Sequence, residues 1–273
     1  MKSKVLVLGS TGLIGRIVTQ QLVTDDFLVK VLARNPAKAE KMFGNQVEII
    51  SGDAINRENL KAALTDCEQV HISLSQPAEL VAVRHVVSLT TELSLQKISY
   101  VSGSTVSEEN NFFPMIKDKL EAEQLIQGSG VPYQIFKPTI FREALANFVN
   151  NGRASVLGKQ TRPYHLVSGQ EFARLVSQEL LKEENFYQKI FGKQSVTLNK
   201  ALEEYCTQHH PQIKKVTNLP YGIAKFIAWL TRTPTLKEAA NFFAYLEKVG
   251  EGYPEEKQST ISKQSGRLGL VAA

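Results

Sequence analysis

The chain has 273 residues, 42% hydrophobic and 22% charged, proportions that predict a folded globular protein rather than a disordered one. Its formal net charge is +5, yet no run of five or more basic residues occurs, so nucleic-acid binding is not expected. Two cysteines, Cys67 and Cys206, exclude a disulfide framework, no Cys/His spacing suits a metal ion, and no apolar stretch approaches the length of about 18 residues that spans a bilayer. The apolar stretch 5–8 is too short for the core of a signal peptide, and a cytoplasmic protein is expected.

Residues 5–8 read as a strand buried on both faces, because all four are apolar. A helix is expected over 13–23 and a second strand over 28–32, closed by Ala33-Arg34-Asn35-Pro36. A third strand falls at 47–50, followed by Ser51-Gly52-Asp53 and a helix over 58–64. The pattern continues with a strand at 70–74, a long helix at 78–93 and a strand at 98–101 that closes in Ser102-Gly103-Ser104-Thr105. A helix over 113–127 and a strand over 133–137 complete it. Strand and helix alternating in this way require right-handed crossovers, so residues 1–150 are expected to form a Rossmann-type, doubly wound parallel sheet.

The rhythm changes after residue 142. Short strands are expected at 154–157 and 165–167, then helices at 170–182, 199–209, 221–231 and 236–249. Two of these helices open on capping boxes, Ser168-Gly-Gln-Glu171 and Thr235-Leu-Lys-Glu238. Residues 151–250 are therefore read as a smaller, mostly helical lobe for substrate or partner, and 251–273 as a polar tail. The helix at 221–231 carries Phe226 and Trp229; it reads as a core helix, a dimer face or a membrane-surface contact, of which core packing is preferred.

Gly9, Gly12 and Gly15 lie three apart, directly after a strand and at the opening of a helix. In that context the first glycine permits a tight turn, the second lets the backbone approach a pyrophosphate, and the third lets helix and strand pack closely. The helix N-terminus adds unpaired N–H donors and a partial positive charge, so a dinucleotide is the expected ligand. A site selective for NAD places an acid at the end of the second strand to take the ribose hydroxyls. Here that end reads Val31-Leu32-Ala33-Arg34, and Arg34 can fork onto a 2′-phosphate. NADP(H) is therefore expected in preference to NAD(H). Asp53 is read either as a partner of the adenine amino group or as an ordinary helix-initiating acid.

The Gly9–Gly15 turn, the Arg34-Asn-Pro segment, Gly52-Asp53, Ser102-Gly-Ser104, Lys119 in Asp118-Lys-Leu-Glu121 and Phe136-Lys-Pro138 together resemble the short-chain dehydrogenase/reductase superfamily, in its atypical NmrA-like branch. The likeness covers residues 4–175 clearly and extends more weakly to about 235. It implies that Gly9, Thr11, Gly12, Leu13, Ile14, Gly15 and Arg34 hold NADP, and that Asp53 and Ala54 meet the adenine. It further implies that Leu74, Ser75 and Gln76 lie along the middle of the cofactor, Lys119 holds the nicotinamide ribose, and Pro138 backs the nicotinamide. One departure concerns catalysis: the superfamily's tyrosine acid stands four residues before the lysine, and here that position is Met115.

Ser104, at the end of a strand, and Tyr164, beside His165 in the second lobe, are the candidate proton donors in its place. His71 inside its strand reads as a core group, and His209-His210 have no carboxylate spaced to join them around a metal. The expected function is an NADPH-dependent reductase of a small apolar or quinone-like molecule. The alternative is a non-catalytic NADP(H) sensor that signals to a protein partner.

Overall fold

The structure is a computed structural model and describes residues 3–253. The chain begins with β1 (Lys4–Leu8), α1 (Gly15–Thr24), β2 (Leu28–Ala33) and α2 (Pro36–Phe43). It continues with β3 (Glu48–Ser51), α3 (Arg57–Leu64), β4 (Gln69–Ile72), α4 (Ala78–Leu93), β5 (Lys97–Val101), α5 (Pro114–Gln127) and β6 (Tyr133–Pro138). A second region holds β7 (Val149–Asn150), β8 (Arg153–Leu157) and β9 (Pro163–His165), after which α6 (Gly169–Leu180) and β10 (Phe186–Ile190) follow. The chain then forms β11 (Ser195–Thr197), α7 (Leu198–His209), β12 (Val216–Leu219), α8 (Tyr221–Leu230) and α9 (Pro234–Val249).

Seven strands form one sheet in the order β10-β6-β5-β4-β1-β2-β3. All six pairings are parallel. The fold is the expected Rossmann type: the order runs outward from β1 in both directions and reverses between β1 and β4. Val5, Leu6, Val7 and Leu8 in β1 have no exposed surface, which is why the strand reads as an unbroken apolar run. The helices α3, α4 and α5 close one apolar layer around Leu60, Leu64, Val86, Leu89, Ala122 and Ile126. Within the same unit α1 packs on α6, which also lies against β5 and β6.

The packing divides the chain into two units. One comprises residues 1–138 with 169–190, the other 139–168 with residues from 191 onward. The expected linear cut at residue 150 is thus replaced by an interleaved one, because α6 and β10 return to the first unit. The second unit holds a three-stranded sheet in the order β12-β8-β7, a two-stranded β11-β9 pair, and the helices α7, α8 and α9.

Several local expectations change. The segment after Arg34 is a helix, α2, capped by Asn35, whose side chain accepts from the Lys38 N–H at 3.0 Å, with Pro36 in the first turn. The helix α9 starts at Pro234, one residue before the anticipated cap Thr235, and Thr233 makes no side-chain cap. The strand expected at 165–167 is Pro163–His165, with Val167 left in an isolated bridge to Phe141. The helix α8 is not a core helix: it buries Ala224 and Ala228, while Ile223, Phe226, Trp229 and Leu230 are exposed. Of the anticipated tail, Glu251 is buried, accepts from the His165 N–H at 2.7 Å and pairs with His165 Nδ1; Tyr253 stacks on the His165 ring at 4.2 Å. The rest of the tail, 254–273, lies outside the described residues. Among those residues no helix is long and apolar enough to cross a membrane, and no His, Cys, Asp and Glu cluster suits a metal ion.

Candidate functional site

The backbone leaves β1 through Gly9, whose φ of +84° is a left-handed value that disfavours any residue with a Cβ. A Cβ there would stand 2.1 Å from the Ser73 carbonyl oxygen, so β4 approaches too closely for alanine. Gly12 N–H donates to Gly9 O at 2.9 Å and closes the turn. Gly15 is the first residue of α1, and a Cβ on it would lie 2.2 Å from Gly9 O. Gly12 is exposed, so its bare backbone faces outward, where a pyrophosphate would lie.

Three further observations fit a bound phosphate. The helix α1 has no side-chain cap at Ile14, which leaves its positive end uncapped by protein. Ser10 Oγ is buried within the turn without a hydrogen-bond partner among the described residues. The rim is cationic: Arg34 is exposed at the end of β2, and Lys38 Nζ reaches Thr11 O at 3.2 Å. Lys38 went unnoticed in the sequence because α2 did; the Asn35-Pro36 helix start is what turns it toward the glycine turn.

The other anticipated cofactor contacts follow the strands' carboxyl ends. Asp53 stands just after β3, but its Oδ1 already accepts from the Ile55 N–H at 3.3 Å and its own N–H donates to Asn59 Oδ1 at 3.1 Å. That makes it a turn-former, while the helix α3 is initiated by Asn56, whose side chain accepts from the Asn59 N–H. Ala54 is buried in the apolar layer. Leu74, Ser75 and Gln76 follow β4, and Gln76 Nε2 donates to Asp118 Oδ2 at 2.7 Å. Ser104 is buried and its N–H donates to Pro138 O at 2.9 Å, tying the turn after β5 to the end of β6. The structure thus gathers Gly9–Gly15, Arg34, Asp53, Leu74–Gln76, Ser104 and Pro138 along one edge of the sheet.

Lys119, on α5, points into a polar cluster absent from the sequence reading. Its Nζ lies 2.6 Å from Glu79 Oε1 and 3.3 Å from Val101 O. Tyr100 OH donates to the same Glu79 oxygen at 3.0 Å. Burial first, then the carboxylate, push the Tyr100 phenol well above its usual range. Glu79 is only 2% exposed, so its charge relies on these two partners. Nearby in sequence, Glu123 pairs with Lys137 at 2.9 Å and accepts from Ser102 and from Tyr187 OH. Met115 sits one turn before Lys119 on the same helix and offers no proton.

Tyr164 belongs to the second unit and is fully buried. Its hydroxyl donates to Gln160 Oε1 at 2.7 Å, and burial pushes its pKa up to about 12. A phenol held this way is a packing group with a satisfied hydroxyl rather than an available acid. His71 is the core group anticipated: its Nδ1 meets Ser99 Oγ at 2.7 Å, and complete burial lowers its pKa to about 3.

Comparison with known proteins agrees with this geometry. Residues 9–183 match the family described as NAD(P)H-binding. The photosystem II assembly factor Ycf39 of Trieres chinensis is 24% identical over 238 residues, covering 82% of this chain and 74% of that protein. A (4-alkanoyl-5-oxo-2,5-dihydrofuran-3-yl)methyl phosphate reductase of Streptomyces griseus is 29% identical over 50% of this chain and 48% of its own. Among solved structures, the Citrobacter sp. triphenylmethane reductase complexed with NADP(H) superposes with a TM-score of 0.72 at 18% identity, covering 98% of both chains. The NADPH-dependent quinone oxidoreductase QOR2 of Escherichia coli gives 0.72 at 17% identity over 97% of both. At such identities these structures establish a common fold, the one the glycine turn's resemblance to the atypical short-chain dehydrogenases and reductases anticipates. With the family match spanning most of the sheet and the turn in the required geometry, this chain belongs to the NAD(P)H-binding family.

Proposed function

We propose that the chain is a cytoplasmic NADPH-dependent reductase of a small apolar or quinone-like substrate. The observation that carries the cofactor choice is the rim of the glycine turn: Arg34 and Lys38 stand there, and β2 ends without an acid. The bound cofactor would contribute a hydride; the rest falls to the chain. Gly9–Gly15 and the N-terminus of α1 hold the pyrophosphate, and Arg34 takes the 2′-phosphate. Lys119, fixed by Glu79, presents a positive charge beside the ends of β4 and β5. Ser104 and solvent are the available proton sources, since Met115 and Tyr164 are not. A quinone suits such a site, because accepting a hydride leaves an oxygen anion stable enough to wait for its proton. Purified protein should oxidise NADPH with at least one member of a quinone and aldehyde panel. No turnover across that panel would overturn the reductase reading.

A second reading, a redox sensor, is favoured by one observation: two phenols, Tyr100 and Tyr164, are buried and committed to Glu79 and Gln160. A sensor would bind NADPH and NADP+ with clearly different affinity, show no turnover, and pass that difference to a protein partner. The relatives named as assembly factors make a protein partner reasonable. Equal affinities in a calorimetric titration would end this reading.

A further inference from the structure

The helix α8 presents an apolar stripe to solvent. Ile223, Phe226, Trp229 and Leu230 are 51%, 59%, 74% and 66% exposed, and the Phe226 and Trp229 rings lie 5.9 Å apart. At about 100° per residue these four side chains share an arc of about 120°. The opposite arc carries Ala224 and Ala228, the buried side of the helix, and α9 is the helix it packs against. The small alanines let α8 and α9 approach closely and leave Ile223, Phe226, Trp229 and Leu230 outside. A soluble surface rarely carries Trp, Phe, Ile and Leu together without an apolar phase to meet.

Charge identifies that phase. Residues 205–237 contain no Asp or Glu but five basic residues, Lys214, Lys215, Lys225, Arg232 and Lys237. The other 27 Lys and Arg equal the 27 Asp and Glu in number, so the whole net charge of +5 resides in the stretch around α8. Lys225, on α8 beside the stripe, and Arg232, just past its end, are both exposed. A protein partner or a second copy would be matched by apolar contact alone. A large apolar stripe within a stretch of chain that is basic and lacks acids is instead complementary to a bilayer whose headgroups are anionic. An exposed Trp with its neighbouring rings is suited to the headgroup boundary, where one side of the indole is wet and the other is not.

We propose that α8 docks this protein reversibly on an anionic lipid surface, with Ile223, Phe226, Trp229 and Leu230 entering the headgroup boundary and the flanking Lys and Arg pairing with lipid phosphates. The reductase reading is independent of this proposal, and either can fail without the other.

Trp229 is the chain's single tryptophan, so its emission reports on this stripe alone. The experiment adds vesicles of phosphatidylcholine, or of an equal mixture of phosphatidylcholine and phosphatidylglycerol, to the full chain. Trp emission and co-sedimentation are followed at low and high salt. The proposal expects a blue shift and co-sedimentation with the mixed vesicles only, both reversed by salt. Phe226→Asp should abolish both, and Lys225→Glu or Arg232→Glu should each weaken partitioning about fivefold or more, the effect of one cation near such a surface. Far-UV circular dichroism and a cooperative melt confirm that each variant is folded. Absence of binding to the mixed vesicles, or equal binding to both kinds, would overturn the proposal. So would emission already blue-shifted without vesicles: a shift lost on dilution would assign the stripe to a second copy, and one lost on removing 254–273 would assign it to that segment.

Discussion

Removing the Arg34 side chain deletes a charge and no buried packing, because the residue is exposed. The expected result of Arg34→Ala is therefore confined to ligand binding. NADP+ affinity should fall by about 1.5–3 kcal/mol, the range for a hydrogen bond to a charged group, with NAD+ affinity unchanged. Calorimetric titration of both dinucleotides checks it, and equal losses for the two would show that Arg34 does not read the 2′-phosphate. His71 carries a prediction of a different kind. The unfolded chain binds a proton there near pH 6.5, the folded chain only near pH 3. The folded pKa is the lower one, so the contribution of the neutral ring to stability is complete above about pH 6.5 and is lost as the pH falls toward 3. By that linkage the chain should lose about 2 kcal/mol from this group between pH 7.5 and pH 5. Urea unfolding at the two pH values measures it. His71→Gln should lack that part of the pH dependence, and an unchanged dependence would place the titration elsewhere.

At the scale of the element, the turn between β1 and α1 separates two jobs that its glycines perform. An alanine Cβ at Gly15 would lie 2.2 Å from the Gly9 carbonyl oxygen, a backbone atom that cannot step aside without moving the helix. Gly15→Ala should cost about 1–3 kcal/mol of stability, the usual penalty for overpacking, and weaken dinucleotide binding as well. At exposed Gly12 the nearest atom would be Gly9 O at 3.1 Å, a much milder conflict. Gly12→Ala should leave the melting temperature closer to wild type while still blocking the approach of a pyrophosphate. Thermal melts paired with titrations distinguish the two, and identical profiles would mean that the glycines have no separate roles. These roles were legible in the sequence because they depend on neighbours in the chain. The helix α2 was not, since Asn35-Pro36 reads equally as a strand stop and as a helix start. The strand β10 was missed because only Phe186 and Ile190 of its five residues are buried, so no apolar run marks it. In α8 hydrophobicity gave no direction: an all-round apolar helix shows which face is buried only when its partner, α9, is known. Glu79 escaped for a related reason, its partner Lys119 being 40 positions away.

For the whole molecule, the sheet is finished by a segment that arrives late in the chain. The strand β6 would be the edge after Pro138, but β10 pairs with it from Phe186 to Ile190, and α6 lies against β5, β6 and α1. Lys97 in β5, 7% exposed, donates to Leu180 O at 2.8 Å and to Lys182 O, and Lys137 donates to Tyr187 OH at 2.6 Å. Phe172, Val176 and Leu180 on α6 have no exposed surface. Each is worth about 1.5–3 kcal/mol buried, so losing three of them approaches the entire stability of a typical domain, about 5–15 kcal/mol. Ending the chain at residue 150, where the change of rhythm suggests a domain border, would remove α6 and β10 and leave Lys97 without its acceptors. We expect a 1–150 fragment to retain helical circular dichroism but to bind a hydrophobic dye and melt without a cooperative transition, while the full chain melts sharply. A fragment that melts as sharply as the full chain would show that α6 and β10 only decorate the sheet. The apolar runs that reveal the first six strands report burial within each short segment, and closure by a strand 48 residues further on leaves no trace in them.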